Sequence, residues 1–118
     1  MMMDEENTEK DCIFCAIADG TTPADVVWED EDTIFFNDIS PKAKVHIVAI
    51  PKKHIESVAT IGEDDGSILV SLNKAATKLA QDQKLDAYRL TFNAGKYQHV
   101  PHLHMHLLAG GKIEWSKL

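Results

Sequence analysis

Three histidines alternate with apolar residues in the segment His102–Leu108. Side chains of a β-strand point alternately to its two faces, so this spacing predicts a strand over His102–Ala109 with three imidazoles on one side. The residues between them, Leu103, Met105 and Leu107, would face a core on the other side. An imidazole can donate, accept, attack or bind a metal near neutral pH. The pattern therefore predicts a functional site on one face of a sheet.

This row of histidines admits three interpretations. A single histidine on a strand is usually a polar residue with an ordinary partner, but three in register would each need a partner of their own if buried. Two histidines on a strand can hold zinc together with a third ligand. A neutral imidazole beside anion-binding donors can also act as a nucleophile or a base.

The composition is that of a single globular domain. The chain has 118 residues, of which 44 % are hydrophobic and 26 % charged, so it can bury one core. Its net charge of −7 argues against a nucleic-acid-binding surface. No apolar run approaches the ~20 residues that span a bilayer, so we expect no membrane contact. Residues 1–10 are polar and acidic, so we expect a disordered tail, one domain over 11–118, and a cytoplasmic location.

Hydrophobic periodicity predicts an α+β domain. Apolar residues spaced by three, four and seven positions predict one long helix from Gly66 to Lys84. Asp11 would cap a short helix that ends at Ala18, and His54 would begin a short helical turn. We expect an antiparallel sheet covered on one face. Its predicted strands are Val26–Glu29, Thr33–Phe36, Val45–Ile50, Arg89–Asn93 and His102–Ala109.

Two cysteines, Cys12 and Cys15, form a Cys-x-x-Cys motif. A redox pair would need a preceding strand and a following βαβ unit, and the pattern indicates neither. A structural disulfide is not expected without a secretory signal. Half of a zinc site and a pair of buried thiols both remain open at this point.

The histidine segment resembles the signature of the histidine triad (HIT) superfamily. Three further segments are similar to that family. The first is Thr33–Val58, with its Asp-Ile-Ser-Pro turn and Pro-Lys-Lys-His-Ile element, and the others are Asn93–Gly95 and Gln98–Val100. Gly110–Lys112, followed by Trp115, resembles the Hint branch, the histidine triad nucleotide-binding proteins. The resemblance implies a HIT-like fold with a five-stranded antiparallel sheet, one long helix and short helices. It also implies a homodimer with a ten-stranded sheet.

The resemblance further implies hydrolysis of purine nucleoside 5′-phosphoramidates. The middle histidine, His104, would attack the α-phosphorus and form a nucleotidyl-histidine that water hydrolyses. His106 would contact phosphate oxygens, and His46 would complete the imidazole cluster. Asn93 would lie by the phosphate, and Asp38 would accept from the ribose hydroxyls. The other implied nucleotide contacts are Ile39, Phe36, Val27, Gln98, His99 and Val100.

Some bacterial members of the family hold zinc between a Cys-x-x-Cys motif and two histidines. The matching residues are Cys12, Cys15, His54 and His102, a closed ligand set of the structural kind. We therefore expect structural zinc and no magnesium. Two other functions are left open: a zinc-bearing nucleotide-binding or interaction module with little turnover, and a dinucleotide polyphosphate hydrolase.

The connection between Asn93 and His102 departs from the Hint pattern. It has eight residues, two fewer than that branch leads us to expect. His99 stands where a phosphate-contacting serine is common. We therefore expect the contact to the leaving group to differ from that of the Hint branch.

Overall fold

The computed structural model describes residues 12–112. Its strands are β1 (Val26–Glu29), β2 (Thr33–Asn37), β3 (Val45–Pro51), β4 (Arg89–Phe92) and β5 (Met105–Ala109). The described helices are α1 (Ile13–Ala18) and α2 (Gly66–Asp82), with 3-10 turns at Val58–Thr60, Glu63–Asp65 and Gly95–Tyr97. Within this range no helix has both the length and the apolar character needed to cross a bilayer. The predicted tail over 1–10, the cap Asp11 and Trp115 lie outside the described residues.

The five strands form one antiparallel sheet in the order β1-β2-β3-β5-β4, which confirms the predicted α+β class. β3 lies between β2 and β5, so Val48 pairs with Phe36 on one side and with His106 on the other. Residues paired directly across antiparallel strands point to the same face. The sheet therefore places Phe36 and His106 on one face with a single residue between them.

One face of the sheet packs against α2 and forms the main core. Leu103, Met105 and Leu107 are at most 2 % exposed in this core, as their alternation with the histidines predicts. The helix contributes a buried stripe at the predicted spacing: Leu72, Ala75, Ala76 and Leu79. Burial of each large apolar side chain contributes on the order of 1.5–3 kcal/mol. This core therefore fixes which face is left for the histidines.

The opposite face of the sheet is covered in part by α1. Ile17 of that helix packs with apolar side chains of β2 and β3, and Phe14 and Ala18 pack against the same cluster. The strand residues in this cluster are Ile34, Phe36, Val48 and Ile50. The histidines lie beside this smaller cluster, since His106 shares its face with Val48.

The histidine strand begins later than the alternation predicts. β5 starts at Met105 rather than at His102. The preceding main chain bonds outside the sheet, since the Leu103 N–H donates to the Ile55 carbonyl at 2.6 Å. The His102 ring is bound to the Pro51 carbonyl at 2.9 Å. Of the three alternating histidines, only the last therefore lies in the strand.

Two predicted helix starts also differ from the structure. α1 begins at Ile13 and its N-cap is Cys12, whose Sγ accepts the Cys15 N–H at 3.2 Å. His54 does not begin a helical turn, and the next 3-10 turn starts at Val58. Both segments bring their cysteine or histidine side chains towards His102 instead.

Candidate active site

Four histidines gather beside the face of the sheet that α2 does not cover. His106 lies in β5 and His46 in the neighbouring β3, whereas His102 and His104 precede β5. The four side chains are nearly buried, with 0–7 % of each residue exposed. Buried polar groups need partners, so the hydrogen bonds of each ring indicate which nitrogen carries its proton.

His46 and His106 form a hydrogen-bonded pair with a fixed direction. The Lys42 backbone N–H donates to His46 Nδ1 at 3.0 Å, so a neutral His46 carries its proton on Nε2. This Nε2 lies 2.8 Å from His106 Nδ1, which must therefore accept. A neutral His106 then carries its own proton on Nε2. The chain of bonds leaves His106 with an N–H that can donate to a ligand.

His104 has the opposite tautomer. Its Nδ1 lies 2.8 Å from the His102 carbonyl oxygen, which can only accept, so Nδ1 carries the proton. The Nε2 of the neutral ring therefore presents a lone pair. The rings of His104 and His106 lie edge to face, with their centroids 5.1 Å apart. Neighbouring rings thus supply a nucleophilic nitrogen and a hydrogen-bond donor.

Burial keeps these imidazoles neutral. Loss of hydration, with the nearby charges of His104 and His46 as smaller causes, lowers the pKa of His106 from 6.5 to about 4. Loss of hydration also lowers the pKa of His104, and the nearby His99 contributes to this lowering. The pKa of His46 is lowered for the same main reason. At neutral pH the cluster is therefore uncharged, as a nucleophilic imidazole needs to be.

Asp38 lies at the rim of the histidine cluster. Its Oδ1 accepts the Ser40 N–H at 2.7 Å, and its Oδ2 lies 3.6 Å from His46 Nε2. The Asp38 N–H donates to the His46 carbonyl at 2.9 Å, which holds the turn against β3. Ile39 follows with 99 % of its surface exposed, whereas Phe36 is buried. The structure thus brings Asp38 and Phe36 to the histidines and leaves Ile39 open to solvent.

Phe14 also lies at this site, although the sequence motifs do not point to it. Its ring contacts the His104 ring edge to face, with centroids 5.1 Å apart, and the Phe36 ring with centroids 5.7 Å apart. The sequence feature that indicates its position is the three-residue spacing of Phe14 and Ile17, which places both side chains on one side of a helix. Phe14 therefore shields His104 from one side.

Val27 does not share a face with Phe36. A bulge interrupts the register of β1 between Val26 and Trp28. Val27 and Trp28 both pack against the core under α2, whereas Val26 pairs with Phe36 and is 43 % exposed. A one-residue irregularity moves side chains from one face to the other, so Val26 replaces the predicted Val27 beside Phe36.

Gln98 binds the main chain with its side-chain amide. Its Nε2 donates to the carbonyls of Glu56 and Val100, both at 2.8 Å, which uses both amide hydrogens. Gln98 therefore fastens its loop to the segment after β3, and its amide has no hydrogen left for a phosphate oxygen. Val100 is partly buried, His99 is exposed, and Asn93 is partly buried directly after β4.

The four predicted zinc ligands form a second cluster: Cys12, Cys15, His54 and His102. Their donor atoms all lie within 4.8 Å of one another. His102 Nδ1 lies 3.2 Å from both Cys12 Sγ and His54 Nδ1, and Cys15 Sγ lies 3.1 Å from His54 Nδ1. Ligand atoms around tetrahedral zinc lie about 3.3–3.8 Å apart when the bonds are roughly 2.0–2.3 Å long. The cluster therefore has approximately the dimensions of a tetrahedral zinc site.

The hydrogen bond of His102 also fits the role of a ligand. Its Nε2 donates to the Pro51 carbonyl, so Nδ1 presents a lone pair to the cluster. Burial lowers the pKa of His102 to about 4, which favours the neutral form that binds metals. A second group of Asp38, His46 and His106 fits a metal less well, because the two ring nitrogens are 2.8 Å apart and hydrogen-bonded.

Known proteins resemble this chain over nearly its whole length. A family model described as scavenger mRNA decapping enzyme C-term binding matches residues 11–117. An uncharacterised HIT-like protein from Chlamydia muridarum is 42 % identical over 104 residues, which cover 86 % of this chain and 82 % of the relative. A HIT family hydrolase from Legionella pneumophila is also 42 % identical, with a TM-score of 0.84 over 91 % of this chain and 99 % of that one.

Two further solved structures resemble the chain less closely. A histidine triad nucleotide-binding protein from Candida albicans is 34 % identical, with a TM-score of 0.72 over 81 % of this chain and 72 % of that one. A zinc-bound histidine triad family protein from Mycobacterium smegmatis is 27 % identical, with a TM-score of 0.76 over 91 % of this chain and 82 % of that one. The fold, the histidine segment and these matches together place the chain in the histidine triad superfamily, in the family that the decapping-enzyme model describes.

Proposed function

We propose that this protein is a nucleotide-binding hydrolase that cleaves the P–N bond of purine nucleoside 5′-phosphoramidates. The observation that carries the proposal is the opposed tautomers of two adjacent rings, an unprotonated Nε2 on His104 and a protonated Nε2 on His106. One ring can attack phosphorus while the other donates to a phosphate oxygen. The Legionella relative is described as a hydrolase and the Candida relative as nucleotide-binding, which supports the same class of function.

The proposed reaction has two displacements. His104 Nε2 attacks the α-phosphorus, the P–N bond breaks, and the amine takes up a proton as it leaves. Water then attacks the nucleotidyl-histidine and loses a proton to solvent, the bond from phosphorus to His104 breaks, and the nucleoside monophosphate is released. The His102 carbonyl accepts the His104 Nδ1–H and so stabilises the charge that the ring gains. The His106 Nε2–H stabilises charge on the equatorial oxygens of phosphorus, so no step requires magnesium.

The rim residues suit the nucleoside part of such a substrate. The carboxylate of Asp38 can accept from the 2′- and 3′-hydroxyls of ribose. Phe36 and Phe14 supply aromatic surface, and the exposed Ile39 adds apolar area at the rim. The β4–β5 register pairs Phe92, the last residue of β4, with Met105, so Asn93 follows on the side towards His104. This position supports the proposal that Asn93 lies by the phosphate.

His99 is the residue we propose for the leaving-group side. It lies in the connection to the histidine segment, and its charge is near enough to His104 to help lower the pKa of that ring. An imidazole can protonate a departing amine, which a serine hydroxyl at the same place does poorly near neutral pH. Gln98 holds this loop in place through its two hydrogen bonds to main-chain carbonyls, and we propose no contact between its side chain and the substrate.

We propose that Cys12, Cys15, His54 and His102 hold one structural zinc ion. The support is the close spacing of their donor atoms, all within 4.8 Å of one another, and the description of the Mycobacterium relative as zinc-bound. Four protein ligands leave no open position, so bound zinc contributes folding free energy rather than a catalytic water. Metal analysis of protein purified without chelators should find about one zinc ion per chain, and Cys12→Ala should lower that content.

Hydrolysis of adenosine 5′-phosphoramidate by the native protein and by His104→Ala tests the proposal. We expect turnover to be lost in the variant while AMP affinity stays within about tenfold, because Asp38 and His106 still hold the nucleotide. Residual turnover above a few per cent of native would refute His104 as the nucleophile. AMP binding by native protein without turnover would favour a nucleotide-binding module, and faster cleavage of a diadenosine polyphosphate would favour a polyphosphate hydrolase.

A further inference from the structure

We infer that the metal cluster and the nucleophile are energetically coupled, so that metal held by the two thiols and two imidazoles positions His104. The inference rests on the proposed role of His104, whose ring is held in place by three sets of contacts. A purely structural anchor would instead stabilise the fold and leave the state of His104 unchanged.

The first contact is the main chain of His102, which belongs to both sites. Its ring is held between the Pro51 carbonyl on one nitrogen and the metal cluster on the other. Its carbonyl oxygen accepts the Nδ1–H that fixes the tautomer of His104. A shift of the His102 ring on loss of metal therefore also displaces the acceptor of that bond.

The second contact is Phe14, which lies between Cys12 and Cys15 in α1. Its ring centroid is 5.1 Å from that of His104 and 5.9 Å from that of His102. A six-residue helix is not stable by itself, so the position of α1 depends on its tertiary anchors. Two of these anchors are thiols of the cluster. Metal binding by these thiols would therefore also hold the Phe14 ring in contact with His104.

The third contact joins the segment that carries His54. The next residue, Ile55, accepts the Leu103 N–H at 2.6 Å. Leu103 directly precedes His104, so the backbone position of His104 depends on this segment. The two other segments that supply metal ligands, α1 with its N-cap and the segment of His54, therefore both contact the stretch from His102 to His104, which supplies the remaining ligand. Coupling free energies between linked sites usually correspond to factors of about 5–150 in affinity.

The first test uses no nucleotide. In ¹⁵N NMR of the imidazole rings, zinc-loaded protein should show His104 as a single Nδ1–H tautomer, and metal-free protein should show a mixture of tautomers. Identical His104 signals in the two states would overturn the inference. If the metal-free protein unfolds, cadmium-loaded protein is compared with zinc-loaded protein instead, because the longer bonds of cadmium displace the ligands. Unchanged His104 signals with cadmium would then overturn it.

The second test measures linkage. AMP should bind zinc-loaded protein at least about fivefold more tightly than metal-free or cadmium-loaded protein. By linkage, saturating AMP should increase the affinity of the protein for zinc, relative to the metal-free or cadmium-loaded state, by the same factor. Phe14→Leu should reduce this factor and Phe14→Tyr, which keeps the ring, should restore it. Equal AMP affinities in the compared metal states, or an unchanged factor in Phe14→Leu, would contradict the coupling through these residues. A failure to hydrolyse phosphoramidates would refute only the proposed function.

Discussion

At the scale of single residues, the difference between His104 and His106 comes from the partner of the Nδ1 atom in each ring. His104 Nδ1 faces a carbonyl oxygen and must donate, whereas His106 Nδ1 faces the protonated Nε2 of His46 and must accept. The alternation in the sequence predicts that imidazoles lie close together, but it contains no information about tautomers. The tautomer of His106 depends on Lys42 and His46, which lie some 60 residues away along the chain, and that of His104 depends on a main-chain carbonyl whose direction the alternation does not specify.

The lowered pKa of His106 makes the stability of the fold depend on pH. The neutral ring is favoured in the folded chain, so the unfolded chain binds more protons between pH 6.5 and about 4. Stability is therefore full above pH 6.5 and falls as the pH decreases towards 4. His106→Asn removes this contribution but keeps an acceptor for His46, so its free energy of unfolding should fall less steeply.

Denaturant unfolding between about pH 4 and pH 8 measures this difference. His102, His104 and His46 also have lowered pKa values and are present in both proteins. Because His46 is hydrogen-bonded to His106, the difference between the two curves belongs to this pair of rings rather than to His106 alone. Asp38 and Lys42, the other charges near His106, are likewise unchanged. Parallel stability curves for the native protein and His106→Asn would contradict the buried, neutral state of this ring.

At the scale of elements, periodicity predicts the sheet and long helix well because their cores repeat regularly. The apolar stripe of α2 and the inward-facing Met105 and Leu107 follow directly from spacing. The late start of β5 could not be predicted, because it depends on the Ile55 and Pro51 carbonyls about fifty residues earlier. The bulge in β1 could not be predicted either, because no glycine in the sequence marks it. Its effect is to place Val26 beside Phe36.

The loop before the histidine segment should depend on Gln98. Gln98→Glu replaces two amide hydrogens with an oxygen that faces the carbonyls of Glu56 and Val100. Loss of these bonds and the resulting repulsion should destabilise the protein by about 1–3 kcal/mol and expose the loop to proteolysis. His99→Ala is the matched control, because the neighbouring side chain is exposed. Equal stability and protease resistance in the two variants would show that Gln98 does not hold the loop.

At the scale of the whole molecule, the sheet has two outer strands. β1 and β4 each pair with one neighbour within the described residues, and an unpaired edge can join the edge of another chain. The family resemblance implies a homodimer, and we propose that two copies associate symmetrically to form a ten-stranded sheet. The sequence favours the same assembly, because a domain this small with apolar residues on both sides of several strands leaves apolar surface that one helix cannot cover.

Sedimentation at micromolar concentration tests this assembly. The protein should sediment with twice the 13.1 kDa mass of one chain. A symmetric contact between edges uses the same surface on both copies, so we expect one dimeric species without larger oligomers. A species with the mass of a single chain at that concentration would be sufficient to reject the ten-stranded sheet.

The central claim, covalent attack by His104, is tested most directly by peptide mapping of protein quenched with alkali during turnover of adenosine 5′-phosphoramidate. Phosphorus bound to an imidazole nitrogen survives alkali, so the intermediate should be found by mass spectrometry. We predict an adenylyl group on His104, on the Nε2 that its bond to the His102 carbonyl leaves unprotonated. An adenylyl group on His106 or His99 instead, or continued turnover with every histidine unmodified at all times sampled, would contradict the account.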